Sequence, residues 1–243
     1  MKEQAKKRII VALDVSSANE ALSLVNQLKG HVGLFKVGLE LFSAVGPSIV
    51  RDIRNVGEEV FLDLKFHDIP NTVARSSSNA ASIGVSMFSI HITGGREMMS
   101  SALIAAREKS SRISVLGVTL LTSLDVKALN EELQVEGSTE AYVSNLARLA
   151  MQSNLHGVIA SPRELQILRQ ELPSAALIVT PGIRPLWAQA NDQKRYMTPA
   201  EAIRNGASYL VIGRPITNPP ETTGNPCTAA DLIADEISAE LNI

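Results

Sequence analysis

Phe61-Leu62-Asp63-Leu64-Lys65-Phe66-His67-Asp68-Ile69-Pro70-Asn71-Thr72 begins as an apolar run of strand formers, yet it carries two acids and a lysine. Successive side chains on a strand alternate faces. Asp63 and Lys65 therefore point one way, and Leu62, Leu64 and Phe66 point the other, as a packing face. Asp68 follows where the strand runs out toward Pro70, which cannot continue a ladder. Three ionisable groups are thus expected at the end of one buried strand, and buried charge is costly unless paired. An Asp-x-Lys pair could simply close off the strand. A structural pair needs no third charge, so the pattern points to chemistry.

Working outward, short β-rich runs alternate with helical patterns along the whole chain. The strand candidates are 8–14, 33–38, 59–65, 87–92, 113–120, 156–160, 176–181 and 209–213, eight in all. Helices are expected near 18–29, 44–55, 71–83, 96–109, 139–152, 162–171, 199–205 and 227–241. Such alternation implies βαβ units and a parallel sheet. Strands like Leu177-Ile178-Val179 and Tyr209-Leu210-Val211-Ile212 read as continuously apolar, as strands covered on both faces do. Ser17 with Glu20, Ser161 with Pro162, and Thr198 with Glu201 mark helix starts. The segments 121–138 and 183–198 are irregular, the first with room for a helical turn.

Eight βα units in 243 residues fit a single (β/α)8 barrel domain spanning 1–243. The alternative is a doubly wound open sheet. That architecture normally shows a Gly-rich fingerprint after its first strand, where this chain has Leu13-Asp14-Val15-Ser16.

Composition narrows the function. Hydrophobic residues make up 45%, enough for a large core. The net charge of −2 argues against nucleic-acid or anionic-membrane partners, so an anionic substrate needs a local basic cluster. The single Cys227 excludes an internal disulfide and a thiolate metal cage, in keeping with a reducing cytoplasm. No signal peptide or membrane span is evident.

Barrel enzymes place their chemistry at the carboxyl ends of the strands. Asp14, Lys36, the pair Asp63 and Lys65, Thr122-Ser123, Pro181-Gly182-Ile183-Arg184 and Gly213-Arg214-Pro215 all fall there. Alone, each could be a helix cap or a surface charge. Together they put Asp14, Lys36, Asp63, Lys65, Arg184 and Arg214 around one mouth. The seventh and eighth loops form the usual phosphate corner of the fold. There Gly213 permits close backbone approach, and Arg214 presents a planar fork to phosphate oxygens. A phosphate monoester is the expected substrate. His67 and His91 read as structural or supporting residues, His31 and His156 as ordinary ones, and Met98-Met99 as core. No histidine spacing resembles a metal site.

These segments resemble the orotidine 5′-phosphate decarboxylase family along essentially the whole chain. The resemblance rests on Asp63 to Thr72, Ala12-Leu13-Asp14, Phe35-Lys36-Val37-Gly38, Leu121-Thr122-Ser123, Thr180 to Arg184, Asp192-Gln193-Lys194-Arg195 and Val211 to Pro215, in family order. It implies cofactor-free and metal-free conversion of orotidine monophosphate (OMP) to uridine monophosphate (UMP). Lys65 would be the proton donor to C6, and Asp63 the acid beside the substrate carboxylate. Asp14 and Lys36 would contact the ribose hydroxyls, and Ser123 the pyrimidine amide edge. Gln193, Gly213 and Arg214 would hold the phosphate, with Thr122 and Arg184 in the binding region. Asp68 and Thr72 would reach the neighbouring site of a homodimer. The 185–193 loop would close over the phosphate. Ile92 stands where many relatives carry a small residue, which bears on packing at the end of strand four.

Two other functions share parts of this pattern. A magnesium-dependent sugar-phosphate decarboxylase or aldolase of the same suprafamily has the same Asp-x-Lys-x-x-Asp array. It uses an acid on strand two where this chain has Lys36. A silent UMP-binding barrel would need a broken charge array, whereas Asp63, Lys65 and Asp68 are all present.

Overall fold

β1 (Ile9–Ala12) hydrogen-bonds on one side to β2 (Leu34–Gly38) and on the other to β8 (Tyr209–Ile212). Between them run β3 (Val60–Phe66), β4 (Met87–His91), β5 (Ser114–Val118), β6 (Gly157–Ile159) and β7 (Leu177–Thr180), all parallel and in chain order, so the sheet closes on itself. A closed barrel leaves no sheet edge, and the open-sheet alternative is excluded. The computed structural model describes residues 1–188 and 196–241.

The period-2 alternation sorts each strand into two sets. Ile10, Ala12, Leu34, Phe61, Met87, Leu116, Val118, Ile159, Val179 and Val211 fill the barrel interior. The opposite set, with Val11, Phe35, Leu62, Phe88 and Ile178 among it, packs against the surrounding helices in a larger core. Leu64 and Phe66 join that outer core as partly buried residues, as their alternation requires. The inward rows continue toward the carboxyl end as Lys36 after Leu34, Asp63 after Phe61, and Ser89 after Met87. The barrel thus changes from apolar to charged within one layer.

The helices are α1 (Lys2–Lys6), α2 (Ala18–Leu28), α3 (Leu39–Val45), α4 (Ser48–Asn55), α5 (Pro70–Ser82), α6 (Gly95–Arg107), α7 (Thr139–Gln152), α8 (Leu165–Glu171), α9 (Pro199–Arg204), α10 (Arg214–Thr217) and α11 (Pro226–Glu240). Ser17 accepts from Glu20 N–H, and Thr198 and Glu201 form a full capping box. The helix expected over 44–55 is two helices, broken at Gly46-Pro47. α3 starts directly from Gly38 without a side-chain cap, so no local polar signal marks it. α1 also differs from expectation. It buries only Ala5, and Lys2 pairs with Asp235 of α11 at 2.7 Å. Irregular segment 121–138 contains one π-helical stretch, Ala128–Glu132.

Ile92 is fully buried, and its packing has a visible compensation. A Cβ added to Gly117 on β5 would lie 2.5 Å from Ile92 Cγ1. The larger residue occupies the space that the glycine leaves. Met98 and Met99 are both core residues, as expected.

Candidate active site

Lys65 donates to Asp63 Oδ2 at 2.8 Å, with both side chains mostly buried. The backbone that delivers this contact departs from a plain strand. Lys65 has φ +52°, in the left-handed region, which costs a non-glycine residue roughly 1–2 kcal/mol. The pairing of β3 with β4 passes from Leu62↔Phe88 to Phe66↔Ile90. Four steps of β3 thus face two steps of β4, a bulge that kinks the strand and re-aims its side chains. Ser89 bridges the kink: its Oγ accepts from Lys65 N–H at 2.9 Å and donates to Asp63 Oδ1 at 2.8 Å. Ser89 is fully buried and escaped the reading of the sequence. The available signal was one hydroxyl at an inward position of the apolar run Met87-Phe88-Ser89-Ile90.

A second pair stands beside the first. Lys36 Nζ donates to Asp14 Oδ1 at 3.0 Å, with the lysine largely buried and the carboxylate open to solvent. Gly38 of β2 is in register with Asp63 of β3, so adjacent strands carry the two pairs. Asp14, Lys36, Arg184, Gly213 and Arg214 line one cavity of about 150 Å³ at the carboxyl end of the barrel. An adjoining cavity of about 440 Å³ shares Arg184 and Arg214. Arg184 is buried, and its backbone N–H donates to the Met197 carbonyl at 3.0 Å. A larger cavity, about 780 Å³, lies at the opposite end by Arg107 and His156 and has no carboxylate. The smaller one is where oppositely charged groups converge.

The His67 and His91 rings lie close, with centroids 5.1 Å apart and planes tilted by 33°. Burial, then the neighbouring His67 and Lys65, holds the His91 imidazole below the usual histidine range. His156 is likewise lowered, chiefly by burial and the nearby Arg107.

Some expected site residues stand apart from this cluster. Asp68 is exposed, and its carboxylate accepts from the adjacent Ile69 N–H at 2.6 Å. Within one chain, the convergence expected of three charges holds for Asp63 and Lys65 alone. Asp68 lies beyond the kink, past the last strand residue. Thr72, in the first turn of α5, is exposed, as are Thr122 and Ser123 in the loop after β5. Gln193 and most of the 185–193 loop lie outside the described residues. Among the described residues, no three His, Cys, Asp or Glu side chains are grouped to hold a metal ion. Nor is any described helix long and apolar enough to cross a membrane.

Fold and charge array together define a (β/α)8-barrel enzyme with a candidate site at the carboxyl mouth. The model of the orotidine 5′-phosphate decarboxylase / HUMPS family matches residues 7–225, and the chain belongs to that family. It is 48% identical over 241 residues to an orotidine 5′-phosphate decarboxylase of Geobacter sulfurreducens, covering 98% of this chain and 99% of that protein. To the enzyme of that name from Moorella thermoacetica it is 48% identical over 238 residues, covering 96% and 93%. The crystal structure of orotidine 5′-phosphate decarboxylase from Lactobacillus acidophilus superposes with a TM-score of 0.82 at 35% identity, over 94% of this chain and 98% of that one.

Proposed function

We propose that this protein decarboxylates OMP to UMP, the last step of de novo pyrimidine synthesis, in the cytoplasm and without metal or cofactor. The observation that carries the reading is the Lys65–Asp63 contact at 2.8 Å, held on a kinked strand at the barrel mouth. Loss of CO2 breaks the bond between C6 and its carboxylate and leaves the electron pair on C6. The Lys65 ammonium stabilises that charge and then delivers its proton to C6. Solvent restores the lysine proton. Asp63 orients the Lys65 ammonium through their 2.8 Å contact. At ~3 Å and an effective dielectric near ~20, a second carboxylate beside Asp63 is repelled by about 5 kcal/mol. Departure of CO2 relieves that repulsion.

The rest of the mouth serves binding. Asp14 and Lys36 engage the ribose hydroxyls, and Arg214, Gly213 and Gln193 the phosphate. Arg184 borders the phosphate corner. Ser123 takes the pyrimidine amide edge, with Thr122 in the binding region. Energy from the remote phosphate can be used at the transition state. Asp68 and Thr72 complete the neighbouring site in a homodimer. Their exposure supports this reading, as do the exposed apolar residues Leu39 and Ile69 at the same end of the barrel.

The test follows OMP absorbance with purified protein, with and without EDTA, alongside a Lys65→Ala variant. EDTA-insensitive turnover by the parent and none by the variant is the expected result. Activity lost to EDTA would move the case to a metal-dependent reaction, and parental turnover by Lys65→Ala would sink the assigned role.

A further inference from the structure

Ser89 sits fully buried in the middle of β4, and the roles above leave it without a task. A hydroxyl has one proton to give and two lone pairs. An ionised Asp63 can only accept and the Lys65 amide can only donate. The two contacts of Ser89 Oγ, at 2.8 Å and 2.9 Å, therefore each have one direction. With the Lys65 Nζ contact to the other Asp63 oxygen, they close a ring that holds Lys65 at both ends. The backbone N–H is fixed through Ser89 and the ammonium through Asp63. The ring lies where the β3–β4 register slips, so Ser89 takes up an amide that the regular ladder leaves over.

We infer that Ser89 is a positioning residue for the decarboxylation. It ties the left-handed Lys65 backbone to Asp63 and so fixes where the ammonium stands at the barrel mouth. The inference rests on the reading of Lys65 as proton donor. A hydroxyl that merely satisfied buried polar groups would govern stability alone. One that positions Lys65 governs the chemical step at saturating substrate.

Full-length Ser89→Ala, Ser89→Cys and Ser89→Thr variants are compared with Lys65→Ala. Cysteine nearly keeps the volume of serine but is a weak donor and acceptor. Threonine keeps the hydroxyl. The expected result is a kcat roughly 10–100-fold lower for Ala and Cys, with KM for OMP within about threefold of the parent because uniform binding is untouched. Amide exchange at Lys65, read by NMR, should quicken in both variants. Threonine should recover most of kcat, including where its added methyl lowers the Tm. Parental kcat in Ala and Cys beside an inert Lys65→Ala would overturn the positioning role and leave the Lys65 reading standing. Parental turnover by Lys65→Ala would remove that reading and this inference with it. A kcat that followed Tm across all three Ser89 variants would assign the hydroxyl to stability and overturn the inference.

Discussion

A Cβ on Gly38 would stand 2.7 Å from Lys36 Nζ, so the glycine is what lets the lysine fold back over the end of β2 to reach Asp14. Gly38 has φ −96°, a conformation open to any residue. Gly38→Ala therefore carries no backbone strain, and its methyl collides only with the movable end of a side chain. The expected outcome is a displaced Lys36, with KM for OMP raised roughly tenfold, the lower end of what a charge-assisted hydrogen bond is worth. The Tm should stay close to the parent's. Steady-state kinetics with a thermal melt separates the two effects, and a large fall in Tm at unchanged KM would contradict the account.

Lys65→Arg isolates proton delivery from charge. The guanidinium still pairs with Asp63 but cannot release its proton near neutral pH. General acid catalysis contributes ~10²–10⁴ in rate, so kcat should fall by at least that range, with Tm little changed. An Arg variant within tenfold of the parent would mean that charge at the mouth suffices and the proton comes from elsewhere.

How much of this site could be read from the chain depends on the range of the forces that build it. The placement of Lys36, Gly213 and Arg214 around one cavity, and of Asp63 beside Lys65, was legible because period-2 alternation and chain order are local properties, and barrel closure brings the strand ends together. The kink at Lys65 was not legible. Its φ of +52° follows from the unequal register of β3 against β4, which joins residues more than twenty positions apart. Ser89 was hidden for the same reason, since a lone hydroxyl in an apolar strand acquires meaning only when the kink lands opposite it. Asp68 shows the converse error. Asp68 was expected to join Asp63 and Lys65 at the buried strand end, whereas it lies past Phe66, exposed, with its carboxylate accepting from Ile69 N–H.

His91 should contribute to the acid sensitivity of folding. Its folded-state value lies below the usual 6.5, through burial first and then the charges of His67 and Lys65, with Asp63 acting in the opposite sense. The unfolded chain therefore binds the proton more readily as pH falls below about 6.5. The stability associated with neutral His91 is full above that pH and is lost on descent toward the folded value. His91→Gln removes this increment. Urea titrations between pH 7.5 and 5 should show a shallower loss of stability for the variant than for the parent. Equal slopes would show that His91 does not titrate differently on folding.

Shared sites make a distinct prediction about mixed subunits. If Asp68 acts in the partner's site while Lys65 acts in its own, Lys65→Ala and Asp68→Ala homodimers are each defective at every site. A mixed dimer differs. The Asp68→Ala subunit supplies an intact Lys65, and its Lys65→Ala partner supplies the Asp68 that completes that site. The other site carries both defects. Random exchange of equal amounts gives mixed dimers as half the population, with one of their two sites intact, so about a quarter of parental activity should return. Activity is measured before and after mild dissociation and reassociation. Recovery toward that fraction supports the exchanged arrangement. Mixtures that stay at the sum of the two variants would place Asp68 in its own subunit's site, or outside the site altogether.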